Sequence, residues 1–228
     1  MPELWAKGLQ HATGDLVGLL ASTAVPDPDW VARTLELHRH GEAAVGGAIE
    51  PGTGLRLVDW AVYFCRYTPY LLPIDEGSLV ELPGDNASYR TDILARYRHL
   101  WERGFWEPAV HHAMRADGHH LRMSGERVVR HGPGTRAGAF CRQRFNHGRA
   151  HGERRWAGRG RAEVVRTVVT APLVPPLLTM RAARAVFARR RLRARFVVAS
   201  PFVLWFYCWW AAGELSGRLR AARSERPA

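Results

Sequence analysis

The chain has 228 residues, 46% of them hydrophobic and nine of them tryptophan, which excludes a disordered polymer and allows one large or two small compact units. Its formal net charge is +12, and because Lys7 is the only lysine, that charge is almost entirely arginine. Arginine forks suit phosphate, so anionic lipid or a diphosphate-bearing substrate fits, whereas arginines interleaved with long apolar runs do not make a compact nucleic-acid-binding domain.

In chain order, Asp15 to Leu20 and Ala43 to Ile49 read as short buried strands, the second ending at Pro51-Gly52-Thr53-Gly54. Ser78 to Leu82 reads as another strand, stopped by Pro83-Gly84. Ser88 to Tyr97 has apolar residues at Ile93, Leu94 and Tyr97, which predicts a helix. Trp106 to Ala116 predicts a second helix, halted by Asp117-Gly118. Leu121 to Arg130 reads as a strand pair turning at Ser124-Gly125. Ala137 to Trp156 is a basic helical stretch, weakened by Gly148 and Gly152.

Near Arg155 the character of the chain changes, which predicts a division into residues 1–155 and 156–228. Beyond it, arginine clusters alternate with apolar runs. Val164 to Met180 is apolar but carries Arg166 and three prolines, and Arg181 to Arg195 is strongly basic. Phe196 to Ala212 is apolar except for Ser200 and holds Trp205, Trp209 and Trp210. As a helix it would measure roughly 25 Å, short of the ~30 Å hydrocarbon core. Arginines flank it on both sides, against the positive-inside tendency of a single crossing. An in-plane or re-entrant helix at the cytoplasmic face fits better than a clean span or a buried soluble helix.

Cys65, Cys141 and Cys208 are too few and too scattered for a disulfide framework or a zinc ribbon, and fit a reduced compartment. Met1 to Gln10 lacks the basic-then-apolar layout of a signal peptide. His147 and His151 stand one helical turn apart without the glutamate of a zinc-site helix, and His111-His112 match no ligand pattern.

Several stretches, taken in order, resemble bacterial family 2 glycosyltransferases. Ala12-Thr13-Gly14-Asp15-Leu16-Val17 looks like the strand leading to the family's metal motif, and Val25-Pro26-Asp27-Pro28-Asp29-Trp30 like the turn after it. Val45-Gly46-Gly47 is similar to a glycine pair on the next strand. Leu82-Pro83-Gly84-Asp85-Asn86-Ala87-Ser88-Tyr89-Arg90 looks like the acceptor-site loop, Gly104-Phe105-Trp106-Glu107 like the catalytic-base segment, and Val128-Val129-Arg130-His131 like a strand ending in a histidine. Phe145-Asn146-His147-Gly148-Arg149 and the run from Trp210 to Gly217 are similar to one membrane-associated branch.

The resemblance implies an α/β, GT-A-like mixed sheet with flanking helices, truncated so that most of the nucleotide-binding half is lacking, followed by a helical membrane-associated region. It implies a nucleotide-sugar donor, a sugar or lipid-linked acceptor, a membrane surface, and a separate or longer chain supplying the nucleotide-binding half. The family's divalent metal, Mg or Mn, is held by carboxylates where this chain has Ala21-Ser22-Thr23, which offer none.

By the same resemblance Glu107 is the base that takes the acceptor's proton, its carboxylate made more basic by the rings of Phe105 and Trp106. The alternative is a solvent-facing glutamate at a helix N-terminus. Gly84 and Asp85 would meet acceptor hydroxyls, Asn86 would do so or cap the following helix, and Trp106 would stack on a sugar or fill the core. His131 would touch metal or diphosphate, or simply be hydrogen-bonded. Arg144 and Arg149 would clamp a diphosphate or lie on a solvated helix face.

Overall fold

A computed structural model describes residues 2–74, 81–156, 166 and 168–224. The architecture is mixed α/β with a five-stranded mixed sheet, flanking helices and one long apolar C-terminal helix. Two compact units divide it, Met1–Thr53 with Pro69–Gly132, and Gly54–Thr68 with Pro133–Ala228. The division thus falls at Gly132–Pro133, rather than at Arg155, and the second unit takes in an earlier segment of chain.

The first unit holds β1 (Leu16–Leu20), β2 (Ala24–Pro26), β3 (Ala44–Pro51), β4 (Asn86–Arg90) and β5 (Leu121–His131), in the spatial order β1-β4-β3-β5-β2. Around them, with helices numbered in chain order, lie α1 (Pro2–His11), α2 (Trp30–His38), α4 (Thr91–Arg96), α5 (Arg98–Trp101) and α6 (Glu107–Ala116). β4 runs antiparallel to both β1 and β3, β5 runs parallel to β3, and β2 closes the far edge antiparallel to β5. One core unites Ala6, Leu9, Leu82, Tyr89, Leu94, Trp101, Phe105, Val110 and Met114.

β3 follows the sequence reading as a buried strand; β1 forms where expected but at the sheet edge, with only Leu19 of its residues buried. The helix expected over Ser88 to Tyr97 does not follow the reading. Asn86–Arg90 is a strand and the helix begins only at Thr91, because the segment is paired on both sides, Val17 to Tyr89 and Val45 to Ser88. Two ladders outweigh a weak local helix preference. The expected hairpin at Ser124-Gly125 is likewise absent: β5 is a single strand whose register jumps from Gly47–Ser124 to Ala48–Val128, so 125–127 bulge from the ladder. Of the strand expected at Ser78 to Leu82, residues 78–80 lie outside the described residues, and Glu81 and Leu82 are irregular.

The bulge delivers Arg127 into the interior, where its side chain is fully buried. Its guanidinium donates to Val45 O (2.9 Å), Asn86 O (2.8 Å), Thr34 Oγ1 (3.3 Å) and Ser88 Oγ, and lies over the Trp30 ring at 5.0 Å. These partners are carbonyls, hydroxyls and a π face. Burial lowers its pKa to about 9, so the group is still charged at neutral pH.

The second unit is helical, with α3 (Leu57–Tyr67), α7 (Ala137–Trp156), α8 (Val174–Ala188) and α9 (Arg193–Ser224). The buried carboxylate of Asp59 ties the start of α3 to the turn before α7, accepting from Gly134 N (3.1 Å), Thr135 N (2.9 Å) and Arg56 Nε (3.0 Å). Phe140 meets Phe206 at 4.7 Å, Gly213 faces Phe145, and Gly217 faces Arg149, so α7 and α9 run parallel. Gly148 and Gly152, which weaken the helix by propensity, are the reason the pair can form. A Cβ at Gly148 would overlap Trp210 O and lie 2.9 Å from Glu214 N, both backbone atoms of α9. The glycines at 213 and 217 repeat the pattern from the other side, a small-xxx-small crossing on both helices.

Gly148→Ala is therefore expected to destabilise the protein by about 1–3 kcal/mol through overpacking. Gly138→Ala, at an α7 position where a Cβ meets nothing within 4 Å, is expected to be neutral or to stabilise by about 0.4–1 kcal/mol. Urea denaturation of the two variants checks the opposite signs.

Candidate functional site

The segment entering β4 sets the site. Asn86 N donates to Pro83 O (2.9 Å), turning the chain through Gly84 and Asp85, both buried. Asn86 does not cap a helix, since it opens a strand. Its Nδ2 donates to Ala48 O (2.9 Å) and Arg127 O (3.3 Å), and its Oδ1 accepts from Trp30 Nε1 (2.9 Å), so the amide is committed to the sheet. Gly47 makes room for it, because a Cβ there would sit 2.9 Å from Asn86 Cγ.

Glu107 is the first residue of α6, with Trp106 at the N-cap and Pro108 following. Its carboxylate, half-buried, lies directly against Gly84: a Cβ at Gly84 would overlap Glu107 Oε1 and come within 2.9 Å of the Trp5 ring. Glycine at 84 is what lets carboxylate and loop backbone meet. Two of the residues singled out from sequence, 23 positions apart, are thus brought together, with Asp85 next in the chain and Trp106 half-buried beside Glu107.

Tyrosines line the same place. Burial first, and then the charge of Glu107, hold the Tyr89 hydroxyl well above its ordinary 10.0. Tyr70 is raised by burial and then by Glu107, Glu81 and Asp85. Three carboxylates, Glu107, Glu81 and Asp85, therefore act on one phenol, that of Tyr70.

Sequence reasoning missed His111, although it follows Glu107 by four residues and so shares a face of α6. It is fully buried. Its Nδ1 is 2.8 Å from Glu81 Oε2, and its Nε2 is 2.9 Å from Tyr89 Oη. A carboxylate only accepts, so Nδ1 carries the proton, and Nε2 accepts from the Tyr89 hydroxyl. The chain Glu81–His111–Tyr89 ties α6 to the segment on either side of Gly84-Asp85, which fixes where Glu107 can stand.

His131 is buried at the end of β5, opposite Ala24 and Pro51. Gly132 N donates to Thr23 O at 2.7 Å, which sets Ala21-Ser22-Thr23 close to His131. They bring no carboxylate, and among the described residues no group of three or more His, Cys, Asp or Glu side chains is placed to hold a metal. Ser22 and Thr23 offer a divalent ion hydroxyls but, with Ala21, no carboxylate. Arg144 and Arg149 belong to the second unit. Arg144 lies over Phe140 (4.9 Å) with Nη2 3.0 Å from His147 Nδ1, and burial lowers its pKa, whereas Arg149 is part-exposed and 4.0 Å from Glu153.

A cavity of about 590 Å³ lies elsewhere, lined by Gly14, Asp15, His38, Arg39, Arg90 and Asp92 at the far end of β1 and β4 from Gly84. Its arginines are already paired, Arg90 with Asp92 and Arg39 with Glu36, each at 2.8 Å. It is large but chemically quiet.

Burial, opposed by the Glu81 hydrogen bond, holds His111 below its ordinary 6.5, and burial does the same for His38. Just below that pH the unfolded chain binds more protons than the folded protein, so acid favours unfolding. The stability these neutral imidazoles contribute is expected to be complete above pH 6.5 and to decline as pH falls below it. Urea titrations across that range should show a shallower slope for His111→Gln; an unchanged slope would remove His111 from this account. No family model and no curated protein matches the chain.

Proposed function

We propose that the chain forms the acceptor side of an inverting, family 2-type glycosyltransferase with a GT-A-like sheet, acting on a membrane-proximal sugar or lipid-linked acceptor at the cytoplasmic face. The observation that carries this reading is the Glu107 carboxylate lying against the backbone of Gly84, with Asp85, Tyr70 and Trp106 around it. The acceptor hydroxyl is held between Asp85 and Glu107, its ring against Trp106. As the acceptor oxygen bonds to the anomeric carbon, its proton passes to Glu107 and the bond to the nucleoside diphosphate breaks. Glu81–His111–Tyr89 holds α6 so that this carboxylate faces the loop.

By the resemblance, the nucleotide-sugar donor would be held by the family's nucleotide-binding half. Ala21, Ser22 and Thr23 supply no carboxylate for a divalent ion.

In the complete, active assembly, Glu107→Gln is expected to lower kcat for sugar transfer by about 10²–10⁴-fold with circular dichroism and melting unchanged. Gly84→Ala, which displaces the same carboxylate while leaving it present, should also slow transfer. Transfer by the Gln variant at the wild-type rate would remove Glu107 from the chemistry. A second reading, a non-catalytic membrane adaptor, is favoured by the missing carboxylates beside His131. Transfer by the complete assembly separates the two, since an adaptor would leave the rate unchanged on Glu107→Gln.

A further inference from the structure

α9 is apolar on both of its sides. Inward, Phe196, Ala199, Val203 and Phe206 are buried, against Phe64 of α3 (5.1 Å) and Phe140 of α7 (4.7 Å). Outward, Val197 (58% exposed), Val198 (63%), Leu204 (40%), Trp205 (41%) and Trp209 (40%) stand in solvent with Cys208 between them. Their spacing, 197/198, 204/205, 208/209, keeps them on one stripe, and no charged residue interrupts the sequence from Phe196 to Gly213. A helix packed on one side normally turns a polar face to water, and a contiguous apolar stripe marks an interaction surface.

The charge around the stripe selects the partner. Arg189, Arg190, Arg191, Arg193 and Arg195 crowd the turn that leads into α9. The Arg193 guanidinium lies over Phe187 at 5.4 Å and that of Arg195 over Trp60 at 5.6 Å, cation–π contacts that keep both charges at the apolar boundary. An apolar stripe bearing two indoles and headed by guanidinium groups matches the boundary between acyl chains and anionic headgroups.

The neighbouring helix decides the orientation. α7 runs alongside α9 from Phe140–Phe206 to Gly152–Glu214 and carries Arg142, Gln143, Arg144, His147 and Arg149. Those groups cannot follow α9 into hydrocarbon without a large cost. Arg193–Ala222 is long and apolar enough to cross a membrane, its apolar 18-residue stretch having mean hydropathy 1.4, yet only its outer face is open to lipid.

We propose that α9 lies in the plane of an anionic bilayer, its stripe from Val197 to Trp209 at the headgroup–acyl boundary and the preceding arginines on lipid phosphates. This deepens the membrane side of the function proposed above, and binding is measured without sugar transfer, so its failure and that of Glu107 are separable.

The full chain is incubated with vesicles of one-third phosphatidylglycerol in phosphatidylcholine, and with phosphatidylcholine alone, then sedimented. Wild type should partition strongly to the anionic vesicles. Leu204→Asp and Trp209→Asp should each reduce partitioning about tenfold or more, and Arg190→Glu with Arg191→Glu should remove the anionic preference. A nitroxide on the native Cys208, and on Val198→Cys with Cys208→Ser, should report similar shallow depths. Depths differing by about 15 Å, the rise over ten residues, would mean a crossing helix and overturn the in-plane placement. Undiminished binding by the Asp variants would overturn it too. So would wild type that dimerises without lipid and becomes monomeric on Trp209→Asp, because the stripe would then be a protein interface.

Discussion

A charge inside the sheet organises the first unit. Arg127 is buried among neutral partners, and the desolvation of an ion costs several kcal/mol in a protein interior. Hydrogen bonds to a charged group return about 1.5–3 kcal/mol each, and Arg127 donates four of them. Two go to the backbone carbonyls of Val45 and Asn86, where β3 and β4 run side by side. The guanidinium thereby fixes the residue at which β4 begins, and with it the turn that presents Gly84 and Asp85 to Glu107. The bulge at 125–127 is the geometric means by which β5 can both continue its ladder and send this side chain inward.

The site then inherits its shape from two short constraints. Gly84 has no Cβ, which lets the carboxylate approach. His111, bonded on both ring nitrogens, keeps α6 from rotating about its axis. Neither contact involves a large apolar area, yet each is directional, and direction is what a proton-accepting group requires. The fully buried Tyr89 serves the same end from β4, packing on Phe105 at 5.4 Å and on the His111 ring at 5.9 Å.

Much of this is readable from residues alone. The strands at 16–20 and 44–49 and the helix opening at Glu107 follow from pattern and order. The start of β4 does not, because Asn-Ala-Ser-Tyr-Arg has no strong local preference and becomes a strand only when β1 and β3 flank it. Ser124-Gly125 carries turn chemistry, and a bulge uses the same residues as a hairpin. Arg127 is invisible in a chain with so many arginines, since nothing local separates a buried one from a solvated one. Gly148 and Gly152 are misleading by propensity and informative by spacing, as Gly213 and Gly217 repeat the interval on the facing helix.

That helix crossing limits how the sequence can drift. At most packed positions, a larger side chain on one element can be accommodated by a smaller one opposite. Here the atoms opposite are peptide groups, Trp210 O, Glu214 N, Phe145 O and Arg149 O, and a peptide group cannot be trimmed. An added methyl at any of the four positions has to be absorbed by moving a whole helix, so descendants of this chain should keep the two four-residue intervals even where the apolar stripe and the arginines around it are rewritten.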